Sequence, residues 1–441
     1  MAETIYALSS AVGKAGVAVV RVSGAAAADV CRQLTGRELP APRSAVRRQL
    51  RSISSEDVLD EGLVLWFPGP ASFTGEDVAE LHIHGGLATV TAVLEAVGEI
   101  SGTRIAEPGE FTRRAFLNEK MDLTAAEGLA DLIDAETEAQ RRQAILQSSG
   151  ALGRLYESWR DRLMGALAHV EAVIDFPEEG LPESALAAAQ TQILGILDSI
   201  TQHVEDRSVG EQLRRGIRVA IVGPPNAGKS SLLNALAGRD AAIVSELAGT
   251  TRDVVEVRMD LGGFPVILSD TAGLRETADR VEVEGVRRAR ATADEADVVI
   301  AVFDGSLALD QAEEVYRSPV TLTVANKWDL GVAERNVPIG GLGLAQVSVR
   351  TGAGMDALLE RLREVVTERW AGDRGAVITR ARHREAVLEC QASLVRAQAA
   401  VLPELLAEDL RLAMQSLGRI TGSFDVEDLL DIVFRDFCIG K

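Results

Sequence analysis

The stretch Gly223-Pro-Pro-Asn-Ala-Gly-Lys-Ser230 decides the fold. It fits the spacing G-x-x-x-x-G-K-[ST], in which a glycine-rich turn lets successive backbone N–H groups wrap phosphate oxygens. Its flanks carry as much weight as the loop. Residues 217–222 (IRVAIV) form an apolar run of strand length, and residues 231–237 (SLLNALA) open a helix. Strand, loop and helix in that order aim a helix N-terminus at the phosphates, with Lys229 neutralising charge and Ser230 placed to reach Mg²⁺. The backbone from Asn226 through Ala227 and Gly228 to Ser231 is the expected phosphate cradle.

Three downstream elements extend this reading. Asp270-Thr271-Ala272-Gly273 follows a strand at 264–268, so Asp270 can sit behind the metal and Gly273 can swing onto a terminal phosphate. Asn326-Lys327-Trp328-Asp329 follows a strand at 320–324. There Asp329 can accept two hydrogen bonds from the N1–H and 2-amino group of guanine, a donor pair that adenine lacks. A site built on such paired contacts rejects the wrong base by on the order of 10⁴-fold or more. Ser348-Val349-Arg350 follows another short strand and completes the base pocket. The nucleotide is therefore GTP rather than ATP.

The hydrolytic device is less ordinary. Small GTPases place a water-orienting glutamine directly after the glycine of their D-x-x-G element, and here that place holds Leu274, which cannot hold water. No arginine finger is evident, a group worth roughly 10³ to 10⁵ in rate where present. Positive charge for the transition state must come from elsewhere. Asn226 offers an amide oxygen at the phosphate edge where a monovalent cation could sit, and Gly249-Thr250-Thr251-Arg252-Asp253 could close over that ion with its carbonyls, Thr251 being a second metal ligand. Glu276, Glu282 and Glu284 are available to orient water, although each alone also reads as part of a charged, solvent-facing helix.

The 441 residues suggest roughly two to four domains. With 46% hydrophobic and 25% charged residues the composition is that of a globular protein. No apolar stretch approaches the roughly 20 residues that span a bilayer, and the first residues lack a leader pattern, so a cytoplasmic protein without a membrane partner is expected. Cys31, Cys390 and Cys438 lie too far apart to suggest disulfides or zinc. A net charge of −20 argues against a protein that coats nucleic acid. The clusters Arg43, Arg47, Arg48, Arg51 and Arg113, Arg114 read first as solvated surface, and for an RNA substrate a partner would supply much of the binding charge.

Before the phosphate loop, residues 16–22 (GVAVVRV) and 62–67 (GLVLWF) are β-rich and residues 87–100 are helical in pattern. Helical texture then runs from Asn118 to about Asp206 and returns after Arg374. An α/β unit with helical texture on both sides reads as a nucleotide domain inserted into a helical one. The expected class is multidomain α/β, with residues 1–117 as an N-terminal α+β domain, 118–212 and 373–441 as halves of a discontinuous helical domain, and 213–372 as an inserted Ras-like P-loop domain.

With Asn226, the GTTRD and DTAGLR stretches and the terminal Cys438-Ile439-Gly440-Lys441, the chain resembles the MnmE (TrmE) family of tRNA-modification GTPases along essentially its whole length. The resemblance implies a folate-binding N-terminal domain that forms a homodimer, and a flavoprotein partner, MnmG, that carries FAD. The pair installs a carboxymethylaminomethyl group (with glycine) or an aminomethyl group (with ammonium) on the tRNA wobble uridine. The carbon comes from a tetrahydrofolate in its 5,10-methylene or 5-formyl form. By motif, potassium would be held by Asn226, Ser245, Leu247 and Thr250, and magnesium by Ser230 and Thr251. The nucleotide contacts would include the switch run Ser245-Glu246-Leu247-Ala248-Gly249-Thr250-Thr251, and Glu282 would be the water-orienting carboxylate. The folate contacts would fall on Arg21, Glu80, Lys120 and Lys441.

The residues give that folate assignment some chemistry. Strand alternation puts Glu80, His82 and His84 on one face and Ala79, Leu81 and Ile83 on the other. A carboxylate there can pair with an amino-pyrimidine edge, while Arg21, Lys120 and Lys441 could meet folate carboxylates. Taken alone, Arg21, Glu80 and Lys441 also read as ordinary surface groups, and His82 with His84 lacks a third metal ligand. Cys438 stands fourth from the end, but Gly440 and Lys441 do not fit a prenylation signal. The thiol is either inert or a working group of the modification chemistry. One rival is a GTP switch for ribosome assembly, which would need a compact RNA-binding module; the other, a membrane-remodelling GTPase, would need a membrane element. Neither feature is evident.

Overall fold

The computed structural model describes residues 3–176, 183–205, 209–238, 256–270, 292–306, 321–331, 344–372, 375–424, 427–435 and 437–440. They fall into two compact units: residues 1–130, 147–194 and 392–441 in one, and 131–146 with 195–391 in the other. Both contain helices and a six-stranded sheet, so the chain is a multidomain mixture of α and β structure.

The first unit's sheet contains β1 (Thr4–Leu8), β2 (Ala15–Ser23), β3 (Val46–Arg51), β4 (Val58–Phe67), β5 (Val78–Gly85) and β6 (Thr103–Ile105) in the order β3-β4-β5-β2-β1-β6. Only the β1–β6 pair is parallel. Period-two alternation sorts the side chains. Val20, Val22, Leu81 and Leu50 point to one face, where they are buried with Val30 and Leu34 of the helix Ala27–Thr35 and Val93 and Val97 of the helix Leu87–Gly98. The other face carries Ile5 and Ala7, which pack with Ala106, Phe111 and Phe73. On β5, Glu80 and His82 are half-buried and His84 exposed, while Ala79, Leu81 and Ile83 are buried, which is the alternation expected.

The same unit holds the long helices Ala151–Asp175 and Pro403–Thr421. Arg411 pairs with Glu171 at 2.8 Å, and the Thr421 hydroxyl donates to Glu157 at 3.0 Å. Nearby, Leu430 and Phe434 of the helix Glu427–Arg435 and the following Phe437 are buried with Leu123 and Ala126. That contact packs the helix Glu427–Arg435 and Phe437 against the helix Leu123–Ile133.

In the second unit, β7 (Ile217–Val222), β8 (Glu256–Leu261), β9 (Phe264–Asp270), β10 (Val298–Asp304), β11 (Leu322–Asn326) and β12 (Leu344–Gln346) lie in the order β12-β11-β10-β7-β9-β8. All pairs are parallel except the β8–β9 hairpin. From β7 the chain builds outward first to β9 and then, on the other side, to β10, so the order reverses at the carboxyl end of β7. Open parallel sheets bind ligands in the crevice at such a point, and the loop Gly223–Ser230 begins there.

A strand boundary and the burial of one residue differ from the sequence reading. The strand expected at 320–324 runs Leu322–Asn326, all five residues buried, because β11 is covered on both edges by β10 and β12. Asn326 therefore ends the strand instead of opening the loop. Arg114, read as solvated surface, is buried, with ion pairs to Glu76 at 3.0 Å and Glu110 at 2.9 Å. A buried guanidinium needs such partners, and both come from segments distant or one helical turn away in sequence.

Candidate functional site

The loop after β7 and the helix Lys229–Ala237 form one piece. Gly228 caps the helix in a left-handed conformation at φ 95°, where a side chain would be strained. A Cβ on Gly228 would also stand 2.2 Å from the Asn326 amide nitrogen. Asn226 is exposed at the loop's outer turn with φ 62°, a conformation asparagine tolerates better than most residues. Ala227 is fully buried beneath it.

Lys229 is buried, and its ammonium donates to the Pro224 carbonyl at 3.0 Å. Burial lowers its pKa, and the Asp270 carboxylate acts against that shift. The Ser230 hydroxyl donates to Asp270 in a short contact. A hydroxyl facing a carboxylate is the hard-oxygen pair that magnesium prefers.

The segments expected to read the base converge on the same loop. Asn326 donates its side-chain N–H to the Ala227 carbonyl at 2.9 Å and accepts from the Val349 N–H at 3.2 Å. Asp329 accepts from the Ser348 hydroxyl and from Arg350, each at 2.6 Å. The Ser348 bond leads the causes that hold the Asp329 carboxyl below its ordinary pKa, and Arg350 adds to it. Lys327 pairs with Asp304 at 2.7 Å, which burial would push up in pKa but hydrogen bonds from Lys327 and Ser306 bring down. The sequence motifs leave Asp304 out. Its signal was the apolar strand V-V-I-A-V-F-D followed by Gly305-Ser306.

Ser245, Glu246, Leu247, Ala248, Gly249, Thr250, Thr251, Thr271, Ala272, Gly273 and Glu282 lie outside the described residues, as do Leu274, Glu276 and Glu284. Lys441 does so as well.

In the first unit, Arg21 and Glu80 are cross-strand partners on β2 and β5. Their side chains pair at 3.0 Å, and Glu80 also meets His82 at 3.3 Å. The Arg21 guanidinium lies 5.2 Å from the Phe73 ring centroid and 5.8 Å from that of Phe111. A delocalised cation over aromatic faces is favoured, so the two rings hold Arg21 in place for Glu80. Nothing in the order of residues pointed to Phe73 or Phe111. Lys120 donates to the Pro70 carbonyl at 2.8 Å, at the start of the loop that carries Phe73. His84 bonds Asp60 at 2.8 Å.

The end of the chain joins this face. Ile439 forms an antiparallel bridge with Pro108, the Gly109 N–H donates to the Cys438 carbonyl at 3.4 Å, and the Ser9 hydroxyl donates to the Gly440 carbonyl at 2.8 Å. Cys438 is exposed, whereas Cys31 and Cys390 are buried. Among the described residues no helix is long and apolar enough to cross a membrane.

Comparison with known proteins agrees with this geometry. A family model described as the MnmE helical domain matches residues 123–438, and one described as the N-terminus of GTP-binding protein TrmE matches residues 4–120. The chain is 57% identical over 444 residues to the tRNA modification GTPase MnmE of Parvibaculum lavamentivorans, covering 100% of both chains. It is 54% identical to that of Rhodospirillum rubrum over 457 residues, covering 100% of this chain and 99% of the relative. Against that of Paramagnetospirillum magneticum it is 54% identical over 443 residues, covering 100% of both. The chain belongs to the MnmE (TrmE) family of tRNA modification GTPases.

Proposed function

We propose that this GTPase hydrolyses GTP with the help of a potassium ion. With a flavoprotein of the MnmG kind, it uses that cycle to form the carboxymethylaminomethyl or aminomethyl group at C5 of the tRNA wobble uridine. The observation that carries the hydrolytic half is Asn226, exposed at the turn of the phosphate loop while Lys229 is buried. The chain also carries Leu274 where a water-orienting glutamine would be expected. A neutral amide oxygen at that edge suits a monovalent cation.

Potassium would take Asn226, Ser245, Leu247 and Thr250, and magnesium Ser230 and Thr251. When bound, the two cations supply positive charge where the transition state gains negative charge. Lys229 adds to it from the chain itself. Asp329, Ser348 and Asn326 bind and orient the guanine, and Glu282 holds the attacking water.

The modification half is assigned to the N-terminal unit. Glu80, fixed by Arg21, faces the amino-pyrimidine edge of a 5,10-methylene or 5-formyl tetrahydrofolate, and Lys120 and Lys441 meet its carboxylates. Cys438 serves the uridine chemistry from the tail. FAD belongs to the partner. The domain layout is 1–117, 118–212, 213–372 and 373–441, and the protein works as a cytoplasmic homodimer.

Nucleoside analysis of tRNA tests this reading. The chain, the flavoprotein, GTP, a reduced folate and either glycine or ammonium should together convert the wobble uridine to the corresponding derivative. GTP turnover with no modified uridine would reduce the chain to a GTP switch, as in ribosome assembly.

A further inference from the structure

The last described residues are held one after another. Phe437 is buried against Phe434 with ring centroids 5.3 Å apart. The Cys438 carbonyl is taken by Gly109, Ile439 is bridged to Pro108, and the Gly440 carbonyl is taken by Ser9. Two glycines make that approach possible. A Cβ on Gly440, which sits at φ 99°, would stand 2.2 Å from the Leu8 carbonyl, and one on Gly109 would stand 2.6 Å from the Phe434 carbonyl. Of Phe437 to Gly440, Cys438 and Ile439 alone present exposed side chains.

The tail is seated beside the polar face. Ser9 directly follows β1, in which Ala7 is the cross-strand partner of Arg21, itself the partner of Glu80. The Ser9 N–H donates to the Val19 carbonyl on β2, two residues before Arg21, at 2.7 Å, and the Ser9 hydroxyl donates to the Gly440 carbonyl.

We propose that Ser9 is a positioning residue for the tail: by holding the Gly440 carbonyl it sets where the Cys438 thiol stands beside the Arg21–Glu80 face. This rests on the reading of Cys438 as a working thiol. Ser9 touches no reacting atom itself. It removes conformational freedom from the tail, and misplacing a reacting group by about 1 Å can cost on the order of 10²-fold in rate.

The test uses the full chain with its flavoprotein partner and compares Ser9→Ala with Ser9→Thr. Hydrogen exchange of peptides covering Gly109 and residues 437–441 reads whether the tail is released. Maleimide labelling reads the thiol, and Cys438 should dominate it because burial pushes the Cys31 and Cys390 thiols up to about 12. Ser9→Ala should speed tail exchange and labelling, and lower tRNA modification by about tenfold or more. GTP hydrolysis should stay unchanged, and Ser9→Thr, which keeps the hydroxyl, should restore all three readouts. Unchanged tail exchange in Ser9→Ala, or a released tail with unchanged modification, would overturn the proposal. Cys438→Ala is the separate control: full modification there would sink the reading of the thiol and leave Ser9 a purely structural contact.

Discussion

The side-chain amide of Asn326 donates to the main-chain carbonyl of Ala227 at 2.9 Å, joining the proposed base-reading segment to the phosphate loop across 99 residues of sequence. The other end of the same amide accepts from Val349. One side chain thus holds three segments of the nucleotide site in register, with both of its polar ends in use. Asn326→Ala would strand the Ala227 carbonyl and the Val349 N–H, at roughly 1–3 kcal/mol for each group left unmet in a buried place. GTP affinity, read by titration with a fluorescent GTP analogue, should fall by tenfold or more as the loop loses its brace, roughly 1.4 kcal/mol or above. Near-normal affinity would show that the phosphate loop holds its shape alone.

Gly228 makes the same contact possible from the other side. Alanine there must adopt φ 95° and meet the Asn326 amide nitrogen at 2.2 Å. The left-handed conformation alone costs roughly 1–2 kcal/mol, before the clash is counted. Gly228→Ala should therefore lose GTP binding in the same titration while circular dichroism still reports a folded chain.

Asp329 predicts a change of base. Its carboxylate accepts from Ser348 and Arg350 and, in the proposed complex, from the guanine donor pair. Xanthine replaces the 2-amino donor with a carbonyl, which a carboxylate repels and an amide N–H can satisfy. Asp329→Asn should weaken GTP binding by on the order of 10²-fold or more and improve binding of xanthosine triphosphate, by the cost of unmatched polar groups. Competition binding with the two nucleotides measures the ratio. Equal loss of both would place the selectivity elsewhere.

Glu110 gives the N-terminal unit an acid limit. Burial would raise its pKa, but hydrogen bonds from Arg104, the Glu107 N–H and Arg114 outweigh that and hold it below its ordinary 4.5. A carboxylate whose folded pKa is depressed contributes its full stabilisation above the unfolded value and loses it as pH falls through the folded value. Urea midpoints should accordingly drop as pH is lowered from 4.5. Glu110→Gln should flatten that limb and, by leaving Arg114 short of a partner, cost on the order of 3 kcal/mol at neutral pH. A mutant that keeps the wild-type acid slope would assign the limb to other carboxylates.

The sequence made some of this legible because local patterns carry it. The loop around Lys229, its flanking strand and helix, and the alternation that puts Glu80 opposite Leu81 all depend on spacing within a few residues. What stayed hidden depends on register between distant segments. Arg114 reads as surface until the 71–77 loop brings Glu76 to it. Phe73 and Phe111 look like any core aromatics until β2 brings Arg21 over both rings. Asn326 reads as a loop residue because the extent of β11 is set by its neighbours on both edges, which no local pattern records.

The central claim is that Asn226 recruits a potassium ion in place of a glutamine or an arginine finger, and steady-state GTP turnover in KCl and NaCl at equal ionic strength tests it most directly. Turnover should be at least about tenfold faster in KCl, equivalent to roughly 1.4 kcal/mol of transition-state stabilisation. Asn226→Ala should erase the difference while nucleotide affinity stays close to normal. Equal rates in the two salts, or a potassium effect that survives Asn226→Ala, would contradict it.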